Sequence, residues 1–101
     1  DVMDQYSNAK KGSNLFLNFD LKEVFLVMRP KNENQPGQVK VYLDDKLVSG
    51  TDSAGEDVTE NIIIVDTDTL YKLINLLTPG RHILKLEFLD NNTEVYAFTF
   101  G

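Results

Sequence analysis

The strongest constraint on this chain is a side-chain period of two, repeated in short runs along most of its length. Successive side chains of an extended strand point to opposite faces, so this period encodes strands buried on one side. Val39, Val41 and Leu43 alternate with Lys40, Tyr42 and Asp44. Leu15, Leu17 and Phe19 alternate with Asn18 and Asp20, and His82, Leu84, Leu86 and Phe88 stand against Arg81, Lys85 and Glu87. Near the end, Tyr96, Phe98 and Phe100 share one face. The β-branched run Ile62 to Val65 reads as a short strand. Glu23 to Arg29 is apolar on both faces, as a central strand covered on both sides requires.

Turn chemistry separates these runs. Pro36-Gly37 and Pro79-Gly80 are turn dipeptides. Asp44-Asp45-Lys46 forms a tight hairpin turn into Leu47-Val48. Asp90-Asn91-Asn92 joins the last two strands with residues that tolerate positive φ. Residues 49–57 are the most loop-like stretch. Residues 67–77 stay open. Leu70, Leu73, Ile74 and Leu77 have helical spacing behind a cap at Asp68 or Thr69, yet Leu70 to Ile74 also reads as a strand, which is preferred.

Short strands with turns every 8–12 residues or so describe a sandwich or barrel. The expectation is an all-β, antiparallel β-sandwich of about seven or eight strands. Residues 1–12 read as a linker or N-terminal extension and 13–101 as a single domain. With no initiator Met, the chain reads as part of a longer polypeptide.

Charge and composition exclude several functions. Sixteen acidic against ten basic residues give a net charge of -6, which suits neither nucleic acid nor an anionic membrane surface. No apolar run approaches the roughly 20 residues of a membrane-spanning helix, so direct membrane insertion is not expected. Cys is absent, which removes disulfides, thiolate metal sites and thiol nucleophiles from this chain. No nucleophile motif accompanies any Ser.

The remaining candidates each have a plainer alternative. His82, the single His, lies in line with core positions and reads as a rim residue before a ligand contact. The loop acids Asp44, Asp45, Asp52, Glu56, Asp57, Asp66 and Asp68 read as solvated charge. No cofactor is expected, with a structural Ca²⁺ in those loops as the alternative. Pairs such as Asp44/Asp45 or Asp66/Asp68 have the chemistry of a glycosidase, but nothing in the sequence sets their separation. Tyr42 and Tyr71 read as outward-facing aromatics on which a sugar ring could stack, with Arg81 and His82 near them. The competing reading for these rings is cross-strand packing. Asn91-Asn92-Thr93 fits a glycosylation acceptor.

Three segments carry a family resemblance: Asp68 to Ile74, Pro79-Gly80-Arg81-His82-Ile83-Leu84, and Val95-Tyr96-Ala97-Phe98-Thr99-Phe100-Gly101. Together they resemble the C-terminal domain of DipZ-type thioredoxin-like proteins. Val39 to Lys46 is similar to that family's hairpin, with Asp45 where Gly is usual. The resemblance covers roughly residues 10–101. It implies a jelly-roll sandwich similar to carbohydrate-binding modules, following a thioredoxin-like redox domain that holds the Cys pair. The implied role is a non-catalytic accessory module, partnered by the upstream redox domain. The alternative is a carbohydrate-binding module for an oligosaccharide. The implied setting is extracytoplasmic or membrane-associated through the parent chain, with a cytoplasmic one open.

Overall fold

A computed structural model describes residues 7–48 and 53–101. The chain is an antiparallel β-sandwich of seven strands: β1 (Ser7–Ala9), β2 (Asn14–Pro30), β3 (Gly37–Leu43), β4 (Lys46–Leu47), β5 (Ile62–Val65), β6 (Thr69–Phe88) and β7 (Thr93–Phe100). Hydrogen bonding runs in the order β1-β7-β2-β6-β3-β4, with β5 also paired to β3. Ser7–Ala9, inside the stretch read as a linker or N-terminal extension, forms an edge strand on β7 and buries Ala9.

The architecture turns on one long ribbon. β2 and β6 pair along most of their lengths, but the register jumps between Leu21↔Gly80 and Glu23↔Asn75. Four residues of β6, Leu76 to Pro79, therefore stand against Lys22 alone. A bulge of this kind lets a strand bend from one layer into the next. The C-terminal half of β2 and the N-terminal half of β6 join β7 and β1 in the first layer. The other halves join β3, β4 and β5 in the second.

The expected turn at Pro79-Gly80 is corrected here. The dipeptide lies within β6, at the bend. Proline has no N–H to donate to a ladder, and a bulge asks for none. The turn signal therefore shapes a bent strand and does not end it.

Two smaller bulges explain where alternation breaks. Val24↔Ile74 is followed by Phe25↔Lys72, so Leu73 is an extra residue. Buried positions on β6 run Tyr71 and Leu73, then Ile74 and Leu76. A one-residue phase slip in a strand mimics the helical spacing seen in the sequence, and the preferred strand is what forms. On β7, Leu26↔Phe98 and Met28↔Val95 leave Tyr96 and Ala97 facing Val27 alone. The expected common face of Tyr96, Phe98 and Phe100 is therefore broken. Val95 and Ala97 are buried, Phe98 packs half-buried against the core and Phe100 is exposed.

A single core lies between the layers. Val24, Leu26, Met28, Leu73 and Val95 meet Val39, Val41, Ile63, Leu84, Leu86 and Phe88. The alternation read on 38–44 and 81–89 is realised. Glu23–Arg29 is central, paired to β6 on one side and β7 on the other, but only Val24, Leu26 and Met28 are buried. Phe25 and Val27 stay part-exposed on the opposite face, so the expected covering of both faces is corrected to one.

The connections hold by local chemistry. Asp44 and Asp45 take φ of 52° and 67°, the paired left-handed conformation of a two-residue hairpin turn. Glu60 and Asn61 repeat it at 50° and 70°, between Thr59 and Ile62. No positive φ occurs at Asp90-Asn91-Asn92. That connection is held by side chains, with Asp90 accepting from the Asn92 and Gln38 amides and Asn91 from the Lys11 amide. Of the loop read at 49–57, Ser49 to Asp52 lie outside the described residues. Ser53 to Asp57 dock on the outer edge of β6, where Gly55 N–H donates to Leu73 and Asp57 accepts from the Lys72 amide.

Candidate binding face

The second layer has an outer face open to solvent, and register places its side chains in rows. Residues directly opposite one another in an antiparallel pair point the same way. Phe16 pairs with Lys85, Lys85 with Tyr42, and Tyr42 with Leu47, so one row crosses four strands. The row on one side is Asn14, Glu87, Lys40 and Ile62. On the other side Asn18 pairs with Ile83, followed by Asp20 with Arg81. Phe16 is 59% exposed and Ile83 48%.

Tyr42 is half-buried and engaged. Its hydroxyl donates to Glu87 Oε1 at 3.0 Å, and Lys85 Nζ lies 4.1 Å from its ring centroid. The bond to the Glu87 carboxylate, then desolvation, then Glu87's charge raise the phenol's pKa, so the proton stays on Tyr42. Arg81 is exposed, 3.6 Å from Asp20.

His82 turns to the rim of the core, as its alternation implies. Its ring stands 5.8 Å from Phe19, and its Nδ1 meets Asp44 Oδ2 at 2.5 Å. Asp44 Oδ1 accepts from the Ile83 amide at 2.9 Å. The His82 bond, then the Ile83 amide, outweigh desolvation and hold the Asp44 carboxyl below its ordinary pKa. Asp44 thus ties the β3–β4 turn to β6. The pair has the donor and acceptor of an acid–base dyad, but its geometry is spent on fastening a turn.

Tyr71 corrects the sequence reading. It is 5% exposed, because its register partner is Leu26, on the core side of β2. Its hydroxyl accepts from the Asp66 and Thr67 amides and donates to the Thr67 carbonyl at 2.8 Å. A ring so placed cannot meet a sugar. Tyr71 staples the turn between β5 and β6 from inside.

Of the four proposed ligand residues, Tyr42 and Arg81 share the open face, His82 points to the rim of the core on the opposite side, and Tyr71 is in the core of the other layer. Phe16 was missed, although alternation with Asn18 and Asp20 places it on the polar face and could have found it. Among the described residues, no three His, Asp or Glu side chains converge as a metal site would need.

The fold has counterparts among solved structures. A family two carbohydrate esterase from Clostridium thermocellum, in complex with cellohexaose, superposes with a TM-score of 0.65 at 22% identity, over 93% of this chain and 26% of that one. A family two carbohydrate esterase from Cellvibrio japonicus gives 0.64 at 12% identity, over 97% of this chain and 29% of that one. The chain thus spans less than a third of these proteins, and identity at this level shows shared architecture alone. No curated protein matches the sequence. The family comparison does: residues 1–101 match the thioredoxin-like C-terminal domain, and the chain belongs to that family.

Proposed function

We propose that this domain is the non-catalytic accessory module of a thiol–disulfide protein, docked on or tethered to a thioredoxin-like redox domain upstream in the same polypeptide. One observation carries this reading: the family match spans the whole chain, and the chain has no Cys. Thiol–disulfide exchange needs an attacking thiolate, so the redox chemistry must reside elsewhere. The finer assignment, to the DipZ-type group and an extracytoplasmic or membrane-associated setting, rests on the terminal segment Val95 to Gly101.

The test is the parent coding sequence together with hydrogen exchange on the full-length protein. The reading expects a CxxC-bearing thioredoxin-like domain upstream, and slower amide exchange in this domain when the two are joined. A reading frame with no such domain would sink it.

A second reading, sugar binding, is favoured by the Phe16–Lys85–Tyr42 row on a sheet face of mixed polar and apolar side chains. The two are compatible, since a tethered module can hold both a redox domain and a ligand.

A further inference from the structure

We propose that the Phe16–Lys85–Tyr42 row binds one strand of a β-linked polysaccharide bearing carboxylates. Two pyranose rings stack on Phe16 and Tyr42, and a sugar carboxylate is taken by Lys85. This deepens the sugar-binding reading and rests on it.

Spacing is the first argument. Phe16 on β2 and Tyr42 on β3 are separated by the single strand β6. Two interstrand gaps amount to roughly 9–10 Å. That is the span of two pyranose residues in an extended β-linked ribbon, where alternate sugars present the same face. Ring faces carry a negative quadrupole that favours the polarised C–H bonds of a sugar's apolar side.

Width is the second. The aromatic row is one side chain deep, bordered by Asn14, Glu87, Lys40 and Ile62 on one side and by Asn18 and the exposed Ile83 on the other, so charged and amide groups break up the apolar surface around it. A protein partner needs a broader desolvated patch at the centre of its interface. A single glycan strand fits the narrow row, with its edge hydroxyls over the flanking amides, carboxylate and ammonium.

Charge is the third, and it selects the sugar class. This face carries Lys40, Lys85 and Arg81 against Asp20 and Glu87, a positive surplus on a chain of net charge -6. Arg81 lies beside Asp20, and the Glu87 carboxylate accepts from Tyr42. Lys85 has the Tyr42 ring as its neighbour, and among the described residues no carboxylate lies within ion-pair distance of its Nζ. A cation–π contact at a part-exposed site contributes little enough for an ion pair with a carboxylate to replace it. A sugar carboxylate draws the ammonium off the ring and bares the face that the next pyranose needs. A neutral sugar must displace Lys85 with nothing to offer it.

The test is calorimetric titration of the folded domain with two matched hexamers, β-linked hexamannuronate and mannohexaose. They share a backbone and differ by a carboxylate in place of a hydroxymethyl group. Hexamannuronate should bind at low salt and weaken as salt rises. Phe16→Ala should weaken it about tenfold. Lys85→Ala should weaken it similarly and abolish the preference over mannohexaose. Circular dichroism checks that both variants stay folded, as the exposed Phe16 and part-exposed Lys85 positions allow. Equal binding of both hexamers, or tighter binding by Lys85→Ala, overturns the carboxylate assignment and leaves sugar binding standing. Binding to neither overturns both. Loss of a protein partner by the two variants, with no saccharide bound, replaces the glycan site with a protein interface.

Discussion

Asp44 offers the most informative perturbation, because three roles meet at one residue. It holds φ of 52° in the β3–β4 turn, accepts the Ile83 amide at 2.9 Å, and pairs with His82 Nδ1 at 2.5 Å. Asp44→Ala deletes both side-chain bonds and puts a β-carbon with no local hydrogen bond into the left-handed region. Hydrogen bonds to a charged group contribute roughly 1.5–3 kcal/mol when shielded, and this site is half open to water. The left-handed conformation adds about 1 kcal/mol for Ala. The expected loss is about 2–3 kcal/mol, a drop in Tm on the order of 10 °C for a domain of this size. Asp44→Asn keeps the turn preference and an acceptor for Ile83, and should cost about 1 kcal/mol. Asp44→Gly relieves the backbone but loses the clasp, so it should fall between them. Asp44's folded pKa is lowered, so its stabilisation is fully present above the unfolded value of about 3.9 and is lost as pH falls through the folded value. Urea unfolding from about pH 5 downward should show the wild-type advantage over Asp44→Asn shrinking below about pH 4. An advantage that grows below about pH 4, or Asp44→Gly matching wild type, would refute the clasp.

Tyr71→Phe removes a buried hydroxyl bonded to three backbone groups and should cost about 1–2 kcal/mol, whereas Tyr42→Phe, at a solvent-accessible bond, should cost less than about 0.5 kcal/mol. Chemical denaturation of the two variants checks the ordering. Thr93 Oγ1 is buried with no hydrogen-bond partner, so Thr93→Val should be neutral or stabilising by up to about 1 kcal/mol. A Cβ at Gly37 would overlap that same oxygen, so Gly37→Ala should destabilise by about 1–3 kcal/mol, with partial rescue by Thr93→Val in a double-mutant cycle. Leu26→Ala, fully buried, should cost about 3–5 kcal/mol in thermal or urea unfolding, and Phe98→Ala, half-buried beyond the β7 bulge, clearly less than full burial of a Phe would imply.

Much of the fold was legible in the chain because period-two patterning is a local property. Val39-Val41-Leu43 and Leu84-Leu86-Phe88 declare their buried face whatever they pack against. Asp44-Asp45 declares its turn because few side chains tolerate positive φ. The absence of Cys removes thiol chemistry from these residues without reference to any structure.

Tertiary structure decided the rest wherever register mattered. A bulge slips the phase by one residue and moves every side chain beyond it to the other face. Such slips put Tyr71 in the core, hid the strand character of 67–77 behind helical spacing, and broke the common face of Tyr96, Phe98 and Phe100. Pro79-Gly80 could be read locally only as a turn, and became a bend because β2 runs past it as a partner. The Phe16–Lys85–Tyr42 row joins residues from three strands distant in sequence. Alternation says that each side chain points outward. Only strand order and register put the three side by side, since neither can be read from any one segment alone.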